Sequence, residues 1–386
     1  MFLLAAIPKR GAMISNSKGE NLILFLQFSA GGQRGGELYT NRLHTFLKRK
    51  FVYVEPQELQ PRPPEFRSIV RHAMASLRQV KSKYPSLLIC DVSSGARNIL
   101  AARTAKRHGS KLLVIAQERR TSYRFKSVFS KWLIHHCEDY LFGLADIVLV
   151  NSLYIADYAA GRISRRANII ICYPGLEIAC ERTSSNRLSS TGPNRHLNLL
   201  AVGEFTEPRK GMKYLLEALA LLSDLNLTLH LAGGYSENKS HLLLLKRIID
   251  RNNLGGRVIF HGFLDRRNLS ELYQNSDIFI LPSLSEGYGI ALAEALTFGL
   301  PVVASNVAAI PEMVKDGVNA LLVRPKDPPA LASAIRRLAA DQSLRDRMRE
   351  NNLARAATLP TWSDFDTTLD RELVPMIEKI TGLKAK

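Results

Sequence analysis

Residues Asp277–Ser305 read DIFILPSLSEGYGIALAEALTFGLPVVAS, and this stretch decides the fold. An apolar run from Asp277 reaches Pro282-Ser283, as a short buried strand does. A turn carrying Glu286, Gly287 and Gly289 follows, then a helix from about Ile290, then a second apolar run at Val302–Ala304. Two apolar strands joined through a helix are the unit of a parallel sheet covered on both faces. Ligands of such sheets bind beyond the carboxyl ends of the strands, which puts Ser283–Gly289 where chemistry belongs. Gly287 and Gly289 let backbone N–H groups approach a ligand at the positive end of the helix dipole, which suits a phosphate or polarised hydroxyls. Glu294 is the one charge among Tyr288–Ala304. In so apolar a helix a carboxylate is costly unless it is hydrogen-bonded. Either it lies on a narrow exposed stripe or pairs with an internal Arg, or it joins Glu286 in gripping the vicinal hydroxyls of a sugar, for which carboxylates are suited acceptors.

Outward from this unit the same alternation runs through most of the chain. Strands are predicted at Leu22–Phe28, Leu87–Cys90, Leu112–Ala116, Ile147–Val150 and Ile169–Cys172, with helices at Glu37–Arg49, Ile99–His108 and Phe129–Phe142. Residues 181–197, ERTSSNRLSSTGPNRHL, carry no apolar period and read as a linker. The alternation then resumes with strands at Leu197–Gly203, Leu227–Ala232, Val258–Phe260 and Ile278–Leu281, and helices at Met212–Leu222 and His241–Arg251. The fold class is therefore α/β, with two doubly wound Rossmann-like domains facing a central cleft. The expected organisation is an extension over 1–20, a first domain over 21–180, the linker, a second domain over 198–360 and a closing helix over 361–386. Met13 is an equally good start, and the apolar Met1–Ile7 precedes its basic pair, the reverse of a secretory signal.

Two other turns face the same way. Gly203–Gly211 ends a strand and opens a helix, and carries Glu204, Arg209 and Lys210. A cation at a helix start is poorly placed for the dipole unless an anion joins it, and a diphosphate is such an anion. In the first domain GGQRGGE, with Gly31 and Gly32, follows the first strand but is neither a dinucleotide fingerprint nor a P-loop.

At 386 residues and 46% hydrophobic the chain has enough apolar content for two cores, and no apolar run is long enough to span a bilayer. Cys90, Cys137, Cys172 and Cys180 show no metal or disulfide spacing. The net charge of +18 is unevenly placed: residues 1–190 hold 29 Lys and Arg against 13 Asp and Glu, while residues 191–386 hold 24 against 22. A basic first half points to an anionic partner. Clusters at His44–Lys50, Arg103–Lys111 and Arg119–Lys131 have apolar neighbours (Phe46, Leu47, Tyr123, Phe125, Phe129, Trp132), a mixture suited to an anionic membrane surface.

EGYGIALAE with DIFILPS before it and PVVAS after it, together with IPEMVKDGVNALLV, EPRKGMKYLLEAL, YPGLE and ADIVLVNS, resembles glycosyltransferase family 4, the retaining, sugar-nucleotide-dependent enzymes of GT-B architecture. The resemblance spans about residues 21–375 and is strongest over Ala201–Ala340; TWSDFDTTLDRELVPMIEKI looks like the helix that crosses back to the first domain. It implies transfer of a sugar from a nucleotide-diphosphate donor to a lipid-linked or polysaccharide-type acceptor, without metal or other cofactor. Glu286 would hold donor-sugar hydroxyls and Glu294 the ribose. Gly287, Tyr288, Gly289 and Ile290 would offer backbone N–H groups, Lys210 with Arg209 would neutralise the diphosphate, Phe263 and Leu264 would frame the base, and Gly31 and Gly32 would approach from the other domain. The implied setting is the cytosolic face of a membrane, as a peripheral protein. Two positions depart from the family pattern: Glu204 stands where Arg is usual, and Gln117 where His is usual. They motivate an alternative, a catalytically degenerate GT-B partner or regulator of an active transferase. A sugar-nucleotide epimerase fits the motifs less well. A nucleic-acid binder would account for the charge, but no zinc, helix-turn-helix or aromatic RNA-binding pattern accompanies it.

Overall fold

The computed structural model describes residues 22–26, 35–51, 53–54, 73–78, 80–81, 84–92, 95–118, 128–164, 167–176, 195–234 and 239–386. The expected extension over 1–20, Gly31 and Gly32, and residues 181–194 of the expected linker lie outside them.

The first sheet is built from β1 (Ile23–Leu26), β2 (Tyr53–Val54), β3 (Leu87–Asp91), β4 (Lys111–Ala116), β5 (Ile147–Val150) and β6 (Asn168–Ile171). Its order is β2-β1-β3-β4-β5-β6, and every pairing is parallel. Helices α1 (Gly35–Lys50), α2 (Gly95–Arg107), α3 (Val128–Leu144) and α4 (Leu153–Ala160) connect the strands. Alternate residues of β1, β3, β4 and β5 enter opposite cores. Ile23, Leu87, Leu113 and Ile147 join one, and Leu24, Leu88, Leu112 and Val148 the other. That two-sided burial is why the strands read as unbroken apolar runs.

The second sheet holds β7 (Leu197–Val202), β8 (Leu227–Ala232), β9 (Val258–Gly262), β10 (Ile278–Leu281), β11 (Val302–Ser305) and β12 (Ala320–Val323), in the order β12-β11-β10-β7-β8-β9. Read from the β9 edge and numbered within the domain this is 3-2-1-4-5-6, the doubly wound order in which the succession of strands reverses between β7 and β10 while all stay parallel. Its helices are α5 (Met212–Ala220), α6 (Lys239–Arg251), α7 (Arg266–Gln274), α8 (Ile290–Thr297), the single turn α9 (Ile310–Met313), α10 (Pro328–Ala340) and α11 (Gln342–Ala356).

The chain then returns. α12 (Trp362–Thr368), a π-helical turn (Leu369–Leu373) and α13 (Val374–Thr381) lie against the first sheet, where Phe365, Leu369, Leu373 and Ile377 share a core with Ile23, Phe25, Tyr39 and Leu43. Arg42 pairs with Asp366, and Lys50 meets Asp370 at 2.6 Å. Thr361 and Asp364 form a reciprocal cap at the start of α12, fixing where the crossing begins. Phe46 and Leu47, expected among the apolar neighbours of a basic surface, point inward instead, at 3% and 1% exposure. The cations of that stretch, Lys48 and Arg49, remain exposed on the opposite face of the same helix.

His230 on β8 and His261 on β9 touch through Nδ1 and Nε2 at 2.9 Å. Burial, reinforced for His230 by the charges of His261 and His196, holds both below the ordinary imidazole value. The folded chain therefore binds fewer protons than the unfolded one at mildly acid pH, so stability is full above about pH 6.5 and declines as pH falls through it. Thermal midpoints of the wild type should fall between pH 7 and 5.5, and His261→Asn should flatten that slope. A slope equal in both chains would assign the loss to other groups.

Candidate active site

The strand order alone places the crevice between the ends of β7 and β10, and two of the turns singled out in the sequence leave those strands. After β7 the chain runs through Gly203 and Glu204 to a 3₁₀ turn, Pro208–Lys210, and enters α5 at Gly211. Gly211 sits at φ 72°, and a Cβ there would lie 1.9 Å from the Pro282 carbonyl oxygen. Only glycine allows this approach, which is sealed by the Leu284 N–H donating to the Arg209 carbonyl at 2.7 Å. The sequence thereby presses the two turns together and delivers their side chains to one point.

That point is Glu286, 6% exposed. The Lys210 ammonium donates to its Oε1 at 2.6 Å and the Ser283 hydroxyl donates to the same oxygen at 2.7 Å, while an Arg209 guanidinium nitrogen stands 3.8 Å from Oε2. Burial pushes the Glu286 carboxyl up, but Lys210, Arg209 and Ser283 more than reverse this, and it is held below the usual carboxylate range. Arg209 is itself gripped from the first domain, its Nε lying 2.7 Å from Glu118 Oε1. Burial lowers the Arg209 guanidinium, and Glu118, Glu286, Glu207 and Glu204 together raise it above its ordinary value. Glu204, which replaces the family's usual Arg, thus belongs to the acidic surroundings of Arg209. Two cations and four carboxylates meet here, so an incoming anion has to displace Glu286 and Glu118 from their partners.

Gly289 caps α8 without a side-chain acceptor, leaving the first N–H groups of the helix directed at the crevice. Eight residues beyond Glu286, Glu294 lies half-buried and accepts from the Tyr273 hydroxyl at 2.9 Å. Its partner is thus a phenol on α7 rather than the internal Arg considered from the sequence. Burial raises the Glu294 carboxyl, with Tyr273 and Arg266 opposing. Phe263, directly after β9, is 61% exposed, and Leu264 packs beside the β10 and α8 core.

The first domain closes on this loop. A Cβ on Gly287 would fall 1.7 Å from the Gln117 carbonyl oxygen, so the glycine rests on the end of β4. Glu312 of α9 accepts from the Leu153 and Tyr154 N–H groups at 3.0 and 2.6 Å, a carboxylate from one domain at the start of α4 in the other. Sequence reasoning singled out neither Glu118, Tyr273, Asn151 nor Glu312. The last two fall inside quoted motifs, ADIVLVNS and IPEMVKDGVNALLV, but their partners lie far away in the chain. Among the described residues no group of three or more His, Cys, Asp or Glu is arranged to hold a metal ion.

Two doubly wound domains with paired turns at a switch point define a GT-B protein. Residues 189–355 match the family model described as glycosyl transferases group 1. An uncharacterized glycosyltransferase of Methanocaldococcus jannaschii is 32% identical over 159 residues, 40% of this chain and 38% of that protein. D-inositol 3-phosphate glycosyltransferase of Corynebacterium glutamicum is 30% identical over 244 residues, 59% of this chain and 56% of that protein. The matches thus cover well under two thirds of either relative. Anabaena HepE in complex with UDP-glucose superimposes with a TM-score of 0.72 at 19% identity, over 91% of this chain and 99% of that one. At that identity it is the fold that is shared.

Proposed function

We propose that the chain is a retaining glycosyltransferase that moves a sugar from a nucleotide-diphosphate donor to a lipid-linked or polysaccharide-type acceptor. The observation that carries this reading is the convergence of Lys210 and Arg209 on a buried Glu286 at the switch point of a Rossmann-ordered sheet. The glycosyl transferases group 1 match and the donor held by HepE support it.

Cleavage of the anomeric C–O bond creates an oxocarbenium-like centre and leaves charge on the departing phosphate. Lys210, Arg209 and the N–H groups of Gly287–Ile290 stabilise that charge from fixed positions in a crevice with little water. Lys210 exchanges Glu286 for the diphosphate, and Glu286, released, accepts from hydroxyls of the donor sugar. Glu294 accepts from the ribose, while Phe263 and Leu264 flank the base. The acceptor hydroxyl attacks on the face the phosphate leaves, its new C–O bond forming as the old one breaks and its proton passing to the departing phosphate, which gives retention. The cations here neutralise the phosphates, so the reaction proceeds without a metal. Lys48, Arg49 and Arg107, exposed on the first domain, face the anionic cytosolic surface of a membrane on which the protein acts peripherally.

The direct test is release of nucleoside diphosphate from a panel of sugar nucleotides, in chelator, with membrane extract as acceptor source. One donor should be consumed with its sugar appearing in the lipid or polysaccharide fraction. Consumption of none would remove the reading, and an altered sugar nucleotide without transfer would identify an epimerase.

A further inference from the structure

Gln117 and Glu118 follow the end of β4, and their backbone is pinned against the loop that carries Glu286. The Gln117 carbonyl oxygen accepts from Asn151 Nδ2 at 2.9 Å, and a Cβ on Gly287 would lie 1.7 Å from it. Glu118 is thereby delivered to the second domain, where its Oε1 meets Arg209 Nε at 2.7 Å. The same guanidinium donates through Nη1 to the Ser285 carbonyl at 3.3 Å, and that nitrogen stands 3.8 Å from Glu286 Oε2. Each cation of the seat thus has a near carboxylate of its own: Lys210 has Glu286, and Arg209 has Glu118.

The two carboxylates differ in what displacement costs them. The Glu286 side chain is 7% exposed, so leaving Lys210 strands a buried charge until another donor reaches it. The Glu118 side chain is 31% exposed, and water takes it up once Arg209 lets go. They differ in origin as well. Glu286 and Lys210 belong to one domain, whereas Glu118 reaches Arg209 across the crevice. A second tie between the domains, Glu312 with the Leu153 and Tyr154 N–H groups, uses neither cation and does not depend on them. The contact between Glu118 and Arg209 is therefore free to break and re-form while the domains stay joined.

We propose that Glu118 competes with the donor diphosphate for Arg209: it holds the guanidinium in the empty protein, yields it as the donor enters and reclaims it as the spent nucleoside diphosphate leaves. This rests on the glycosyltransferase reading above. A diphosphate carries more charge than one carboxylate and reaches Lys210 as well, so it wins the exchange while it is present. The coupling is reciprocal: the factor by which Glu118 weakens diphosphate binding is the factor by which diphosphate weakens the tie between the domains. Glu118 touches neither sugar nor nucleotide. It acts through Arg209, on how readily the product departs.

Glu118→Gln keeps the size of the side chain and an acceptor oxygen for Arg209 Nε but removes the charge. Affinities and dissociation rates of UDP, GDP and ADP are measured for the wild type, Glu118→Gln, Arg209→Met and the double variant. The diphosphate that the wild type binds should bind roughly 5-fold more tightly to Glu118→Gln, chiefly through slower dissociation, as removal of one partly exposed charged competitor implies. Lys210 still holds the diphosphate in Arg209→Met, and there the same substitution should change affinity by less than about 2-fold, because no guanidinium is left to compete for. Glu118→Ala serves if Glu118→Gln does not fold. Unchanged or weaker binding in Glu118→Gln would make Glu118 a mere support for Arg209, and equal tightening in both backgrounds would reduce it to general repulsion. Either result overturns the proposal while leaving the glycosyltransferase reading in place. Binding of none of the three diphosphates by the wild type would overturn that reading itself, and the proposal with it.

Discussion

Glu286→Gln should lower turnover by roughly 10²–10³-fold while leaving nucleoside-diphosphate binding as tight as before or tighter. The substitution keeps the size of the side chain and one acceptor oxygen for Ser283, but removes the charge that Lys210 now faces at 2.6 Å. Diphosphate then no longer competes with a carboxylate for the ammonium, so its affinity holds or rises. The chemical step suffers, because the anionic acceptor for the sugar hydroxyls is gone when the oxocarbenium-like centre develops. Kinetics that separate kcat from donor binding would show this division. Near-normal turnover in Glu286→Gln would remove this residue from the reacting centre.

Lys210→Met should have the largest effect on donor binding, weakening nucleoside diphosphate by roughly 10²-fold or more, as loss of a charge-assisted contact in a desolvated site implies. It also breaks a pair whose partner is 7% exposed at the side chain, which costs about 3 kcal/mol of stability at neutral pH. The sign of its pH dependence follows from Glu286. Its carboxyl is held low in the folded chain, so the pair's stabilisation is full above the ordinary carboxylate range and is lost as pH falls from that range through the lowered folded value. In Lys210→Met that acid-side decline should be shallower, since less stabilisation remains to lose. Thermal midpoints from pH 7 to 3.5 report it, and an unchanged slope would show that Arg209 and Ser283, not Lys210, depress the carboxyl.

The sequence exposed the strands because the physics that buries them is local. Ile147–Val150 and Ile278–Leu281 are apolar on both faces and bounded by breakers, and they occur as read. Tyr53–Val54 is a two-residue edge strand with no period to detect. The turns were legible through their glycines and charges, yet the pairings inside them were not. Lys210 and Glu286 are 76 residues apart, and only the close passage of Gly211 beneath Pro282 brings them together. Glu294 attracted notice as a lone charge, but a hydroxyl donor such as Tyr273 leaves no charge pattern by which it could be found. Phe46 and Leu47 show the opposite failure. An amphipathic helix looks alike from the sequence whether its apolar side meets a membrane or a core, and here it meets the core.

A diphosphate seat at Lys210 is open to direct measurement. Thermal denaturation of the wild type, free of metal, with UDP, GDP or ADP at about 100 times the dissociation constant tests it, since such a ligand adds about 2.7 kcal/mol of stability. One diphosphate should raise the midpoint clearly, and the same concentration should do little for Lys210→Met. No rise with any diphosphate, or an equal rise in Lys210→Met, would contradict the site.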